Sequence, residues 1–137
     1  MTFLIAFYTG MRRGEILGLH WSDIDFNKKI IHVCRSLAHV PKSGYMITTL
    51  KTKNSKRQIP VPEFVLHELR THKQRQEEWK ELVGKLYTDN DLVICTNTGT
   101  LQDPRNVVRV MKRLVKDTKL PNIRFHDIRH THASILI

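Results

Sequence analysis

Apolar residues fill the chain from Phe3 to Tyr8 and stop at Thr9-Gly10, a pattern that predicts a helix over Met1 to Tyr8 broken at that pair. Ile16, Leu17 and Leu19 mark a second helix. It begins near Met11 and ends at Trp21-Ser22-Asp23, where small polar residues favour a turn. The period then changes. Lys29 to Cys34 alternates and carries the β-branched Ile30, Ile31 and Val33, as a strand requires. Pro41 to Gly44 reads as a turn and Tyr45 to Leu50 as a second strand. Lys51 to Lys56 (KTKNSK) reads as a polar hairpin connection into a short third strand, Gln58 to Val61, closed by proline.

A long helix is predicted from Glu63 to Val83 with Gly84 as its stop, its apolar stripe drawn from Val65, Leu69, Trp79, Leu82 and Val83. Leu92 to Cys95 is a brief apolar strand leading into the loop Thr96 to Thr100. Asp103-Pro104 opens another helix, because Asp caps free amides and Pro sits where no donor is needed. Val107, Val110, Met111 and Leu114 continue it at helical spacing, Pro121 ends it, and His126 to Ile137 reads as a final helix. There is no repeat, low-complexity tract or linker. The expected fold is α+β: a mainly helical domain with a small antiparallel three-stranded sheet.

Composition narrows the class. A chain of 137 residues, 40% hydrophobic and 26% charged, fits one soluble domain with a real core. No apolar run reaches the roughly 18 residues needed to span a bilayer, and the first one lacks the marks of a signal peptide. Cys34 and Cys95 stand far apart without metal spacing and read as reduced, half-buried residues of a cytoplasmic protein. Charge adds more. The 23 Lys and Arg against 13 Asp and Glu give a net charge of +10, which points to a polyanionic partner such as nucleic acid.

That charge gathers in three places: Met11 to Glu15, Lys51 to Arg57, and Phe125 to His130. His126 and Arg129, three apart on a helix, share a face and could together hold phosphate oxygens; equally, Arg129 could pair with Asp127 or Glu15. Arg12-Arg13 opens a helix, where anions are favoured, and only one of two adjacent arginines can face a shared site.

Together the three clusters resemble the catalytic domain of the tyrosine recombinase (phage integrase) family. TGMRRGEILGLHWSDID at Thr9 to Asp25 is similar to its first conserved box. KTKNSKRQIPVP at Lys51 to Pro62 is similar to its β-hairpin lysine region, and FHDIRHTHASILI at Phe125 to Ile137 to its HxxRH box. The resemblance implies that Arg12 and Arg129 grip the scissile phosphate and that His126 contacts the same phosphate and assists proton transfer. It also implies that Lys51, with Lys53 as the alternate, protonates the leaving 5′ oxygen. A lysine beside other cations suits that task. Glu15 supports Arg12.

The resemblance further implies double-stranded DNA as partner, tetramers on DNA for intact members, and strand cleavage and rejoining through a 3′-phosphotyrosyl intermediate. No cofactor or metal is expected; the His126/His130 pair has no supporting carboxylate or cysteine. In the family the nucleophilic tyrosine lies close to the C-terminus, whereas Tyr8, Tyr45 and Tyr87 all precede the HxxRH box. Residues 1–137 are therefore expected to be part of a catalytic domain without the core-binding domain and nucleophile segment, binding DNA but not cleaving it. Thr9 to Asp25 looks most like integrases of bacterial mobile elements. The alternative is a non-enzymatic basic DNA-binding module that uses the same clusters for backbone contacts alone.

Overall fold

Helix α1 (Thr2–Thr9) ends where Gly10 takes the left-handed conformation, φ 67°, and its amide closes on the Ala6 carbonyl. A computed structural model describes residues 1–118 and 124–129 of the chain. Helix α2 (Arg13–Leu17) follows at once and is shorter than the sequence suggests. It packs on the strand region through two glycines one turn apart. A Cβ on Gly14 would stand 2.7 Å from Ser36 Oγ and 2.8 Å from the Leu37 carbonyl, and one on Gly18 would stand 3.0 Å from the Leu37 nitrogen. A 3₁₀ turn, Trp21–Asp23, then leads into the strands.

Five strands follow: β1 (Ile24–Asp25), β2 (Ile30–Val33), β3 (Arg35–Val40), β4 (Gly44–Thr49) and β5 (Arg57–Pro60). The expected antiparallel three-stranded sheet is present, in the order β1-β2-β5, but its membership differs from the expectation. Its third strand is β1, which is too short to leave a pattern. The strand expected over Tyr45 to Leu50 pairs instead with β3 in a separate two-stranded sheet. Residues 51–56 are accordingly not a hairpin turn, because β4 and β5 do not pair with each other. Both pair with one nearly continuous run, β2 then β3, broken only at Cys34; on the other side residues 50–56 leave the ribbon between Thr49, opposite Arg35, and Arg57, opposite Val33. Strand β3 escapes a pattern reading because Arg35, Ser36, Ala38 and His39 are weak strand formers; its pairing with β4 holds it.

Helix α3 (Glu63–Val83) has the expected bounds, and Gly84 ends it at φ 66°. Only its first turns join the core, through the fully buried Val65, Leu66 and Leu69. The expected stripe does not continue: Trp79 is exposed and Leu82 is 81% exposed, because a helix of about 30 Å outruns the layer beneath it. Polar side chains carry the attachment further, as far as Trp79, whose Nε1 donates to the Asn97 carbonyl at 2.9 Å. Gln76 accepts from Trp21 Nε1 at 2.7 Å and donates to the Leu92 carbonyl at 3.0 Å, while His72 Nε2 meets the Val93 carbonyl at 2.7 Å. The segment expected as a strand over Leu92 to Cys95 contributes single bridges only, His20 to Leu92 and Cys95 to Leu101.

Helix α4 (Pro104–Lys116) starts as its sequence dictates, with the Asp103 side chain accepting from the Arg105 amide at 2.9 Å and Pro104 in the first turn. Val107 and Met111 are buried, whereas Val110 and Leu114 face outward. Residues 125–129 are helical; the expected stop at Pro121 and the helix beyond residue 129 lie outside the described residues. The main core joins α1, α2, the β1-β2-β5 sheet and the start of α3. A second cluster of Leu17, Leu37 and Val107 ties α2, β3 and α4 together, with Phe125 packed against both.

Candidate functional site

Arg12 caps α2 from an extended conformation, and its amide donates to Glu15 Oε2 at 3.1 Å. That bond holds the turn so that the Arg12 side chain, 61% exposed, leaves the surface beside a carboxylate that is 1% exposed. A buried carboxylate needs compensation, and Arg57 supplies it. The Arg57 fork donates to both Glu15 oxygens, Nη2 to Oε2 at 2.8 Å and Nη1 to Oε1 at 3.2 Å. The Arg12 Nη1 stands 4.0 Å from the same carboxylate.

Phe125 and Ile128, three apart on the 125–129 turn, pack inward, and the Phe125 ring lies 6.3 Å from that of Phe3. The turn is pinned at its start by Asp127, whose carboxylate accepts the Arg124 amide at 2.8 Å. His126 and Arg129 are thereby carried on the remaining faces. Arg129 Nε donates to the Gly10 carbonyl at 2.9 Å, across the turn that precedes Arg12, and not to the carboxylates of Asp127 or Glu15. Burial, then the Arg12 charge and more weakly Arg57, lower the Arg129 pKa from its ordinary value, with Glu15 acting the other way. The guanidinium stays charged at any working pH. A cation held against its own kind in this way gains from an arriving anion.

Arg12, Arg13, Lys112, Arg124, His126 and Arg129 line one cleft of about 830 Å³ with the apolar Val108, Met111 and Phe125. The structure thus brings Arg12, His126 and Arg129 together. Lys51 and Lys53 are exposed on the 50–56 loop and do not line the cleft. That loop is a tight turn in which the Ser55 and Lys56 amides both reach the Thr52 carbonyl at 3.2 Å, and Thr52 Oγ1 meets Ser55 Oγ at 2.6 Å. His130 lies outside the described residues, and among those residues no group of three or more His, Cys, Asp or Glu gathers as a metal site would. Among them also, no helix is long and apolar enough to cross a membrane.

The boxes that build this cleft lie within a match to the phage integrase family model that covers residues 1–137. The chain belongs to the phage integrase family. Among curated relatives it is 38% identical to a tyrosine recombinase XerC-like protein of Caldanaerobacter subterraneus subsp. tengcongensis, over 98% of this chain and 37% of that one. It is 36% identical to the ICEBs1 integrase of Bacillus subtilis, over 98% of this chain and 36% of the relative. The chain therefore spans little more than a third of the length of these relatives. Among solved structures, the integrase of transposon Tn1549 in complex with transposon right end DNA shares the fold, with a TM-score of 0.78 and 24% identity over 98% of this chain and 44% of that one. XerA recombinase follows with a TM-score of 0.69 and 25% identity, over 96% and 41%. The integrase fold thus accounts for the helices and the small antiparallel sheet.

The expectation that only one of Arg12 and Arg13 can face a shared site is overturned: both line the cleft, because Arg12 is the extended residue before α2 and Arg13 its first helical residue, so the two are not neighbours on one helix. Pattern reading also missed Arg57 and Lys112 as support and member of this integrase cleft. Arg57 closes the lysine-rich segment, but its partner Glu15 lies 42 residues away. Lys112 lies on α4, where the pattern marks only the apolar positions; it joins the cleft because Arg124, Phe125, His126 and Arg129 line the same space, which no local spacing reports.

Proposed function

We propose that residues 1–137 form the phosphate-binding part of a tyrosine recombinase catalytic domain, acting on double-stranded DNA in site-specific recombination. Arg12, Arg129 and His126 hold the non-bridging oxygens of one phosphate, the two guanidiniums offering planar forks of donors and the imidazole a further donor. Charge that grows on the phosphorus oxygens during strand exchange meets preorganised cations and needs no metal. Lys51, with Lys53 as alternate, serves as the acid for the leaving 5′ oxygen once bound DNA brings the 50–56 loop to the cleft. Such a protein works on DNA in the cytoplasm, and its intact form assembles as a tetramer on the recombining sites. The observation that carries this reading is the meeting of Arg12, His126 and Arg129, from distant parts of the chain, in one cleft.

Titration of fluorescent duplex with the chain at several salt concentrations tests it. Binding weakens steeply with salt, with a slope of about −0.9 per phosphate contacted. Arg12→Gln, His126→Gln and Arg129→Gln each lower affinity, and any two together cost less than the sum because they serve one phosphate. Additive losses, each with its own step in the salt slope, would favour the basic module without a shared pocket. No measurable affinity for duplex in low salt would reject both.

A further inference from the structure

The loop that carries Lys51 leaves the ribbon where backbone pairing is interrupted. Its backbone link across the gap is the Leu50 amide on the Cys34 carbonyl at 3.0 Å. Something else must fix its base. Arg57, the first residue after the loop, holds Glu15 with both prongs, and its Nη1 also donates to the Ser55 carbonyl within the loop at 3.2 Å. On the opposite strand Arg35 flanks the same gap and donates to the buried Asp23 at 2.9 Å. Both ends of the interruption are thus gripped by carboxylates from the one segment, Thr9 to Asp25, that also carries Arg12.

We infer that Arg57 is a positioning residue: its bidentate pair with Glu15 fastens the base of the lysine loop to the Arg12 turn, so that the phosphate clamp and the anchor from which the proposed acid reaches it are held as one unit. This rests on the proposed function only for what the loop lysines do. The mechanical link itself is independent of DNA. Glu15 is its pivot, since one oxygen, Oε2, accepts both the Arg12 amide and Arg57 Nη2. A lysine at position 57 would keep the charge but lacks the planar fork that spans two oxygens and a carbonyl. A plain surface ion pair would need neither the burial of Glu15 nor the third bond to Ser55.

The test perturbs one end and reads the other, using amide hydrogen exchange on the free chain. In Arg57→Lys the amide of Arg12, which Arg57 does not touch, is expected to exchange about tenfold faster. In Glu15→Gln the amides of Ser55 and Lys56, which Glu15 does not touch, are expected to accelerate similarly, while those of Leu66 and Leu69 in α3 stay slow. Glu15→Gln is isosteric and removes the buried charge, so it reads the link even if Arg57→Lys fails to fold. Exchange that changes only at the substituted end, or at neither, overturns the inference whatever the DNA experiments give. With duplex bound, acylation of Lys51 and Lys53 is expected to be suppressed in the wild-type chain and restored in Glu15→Gln. Loss of duplex binding in the wild-type chain removes the proposed function and leaves the exchange result standing.

Discussion

Replacing Gly14 by alanine sets two effects against each other. Alanine favours helix by up to about 1 kcal/mol over glycine, and less in a first turn such as this one. Against that, the new Cβ would stand 2.7 Å from Ser36 Oγ and 2.8 Å from the Leu37 carbonyl. The hydroxyl can rotate away. The carbonyl cannot, because Leu37 is paired with Ile47 inside the β3–β4 ladder and its side chain is buried against Leu17 and Val107. Overpacking of this kind costs about 1–3 kcal/mol, so overpacking wins and the net loss is about 1–2 kcal/mol. For a chain of this length, that lowers Tm by roughly 4–8 °C. Thermal melting followed by circular dichroism reads it, with Gly18→Ala alongside. Gly18 is expected to lose less, its nearest atom being 3.0 Å away. Adding Ser36→Gly to Gly14→Ala should restore only part of the loss, since the carbonyl remains. A Gly14→Ala chain melting at or above the wild-type temperature would refute the reasoning, because α2 would then be free to move off the ribbon.

Leu69→Ala empties a fully buried position where α3 meets the core, and urea unfolding should show a loss of about 2–5 kcal/mol. Stability should fall as pH drops below the ordinary histidine value of 6.5, because burial lowers the His72 pKa against the opposing Val93 hydrogen bond and the unfolded chain takes up the proton first. The sign follows from the lowered pKa: the contribution is present above that pH and lost beneath it, and His72→Gln should flatten the dependence of Tm on pH between about 7.5 and 5.5. Asp103→Ala removes the cap of α4 and should cost about 1 kcal/mol, read in the same urea assay. A nicked suicide duplex should leave no covalent protein–DNA adduct, because none of Tyr8, Tyr45 or Tyr87 lines the cationic cleft; a shifted band on a denaturing gel would contradict this.

Local signals proved sufficient wherever the governing contacts were local. Helix α3 begins and ends where its period and Gly84 say, and the Asp103-Pro104 start of α4 follows from capping chemistry alone. The family motifs named Arg12, His126 and Arg129, which the fold carries into one cleft. What stayed hidden depended on partners far along the chain. Strand β3 exists through pairing with β4, and Arg57 acquires its meaning only when Glu15 is beside it. Trp79 and Leu82 misled for the converse reason: their spacing fits a buried stripe, but helical spacing carries no information about where the underlying layer stops. Gly14 and Gly18 belong to the same class, since a close backbone approach leaves no mark except the absence of a side chain.

The interrupted ribbon has a consequence for how such a protein can change. Residues 50–56 sit outside both ladders, and the pairing on either side, Arg35 with Thr49 and Val33 with Arg57, does not depend on how many residues lie between. Insertions or deletions there leave every inward-facing side chain on its own face, whereas a one-residue slip inside either ladder would turn a whole strand over. Closure entropy rises only slowly with loop length. The reach of the lysines is therefore a dimension that descent or design can lengthen and shorten separately, while the cation cluster proposed to receive the phosphate keeps its shape.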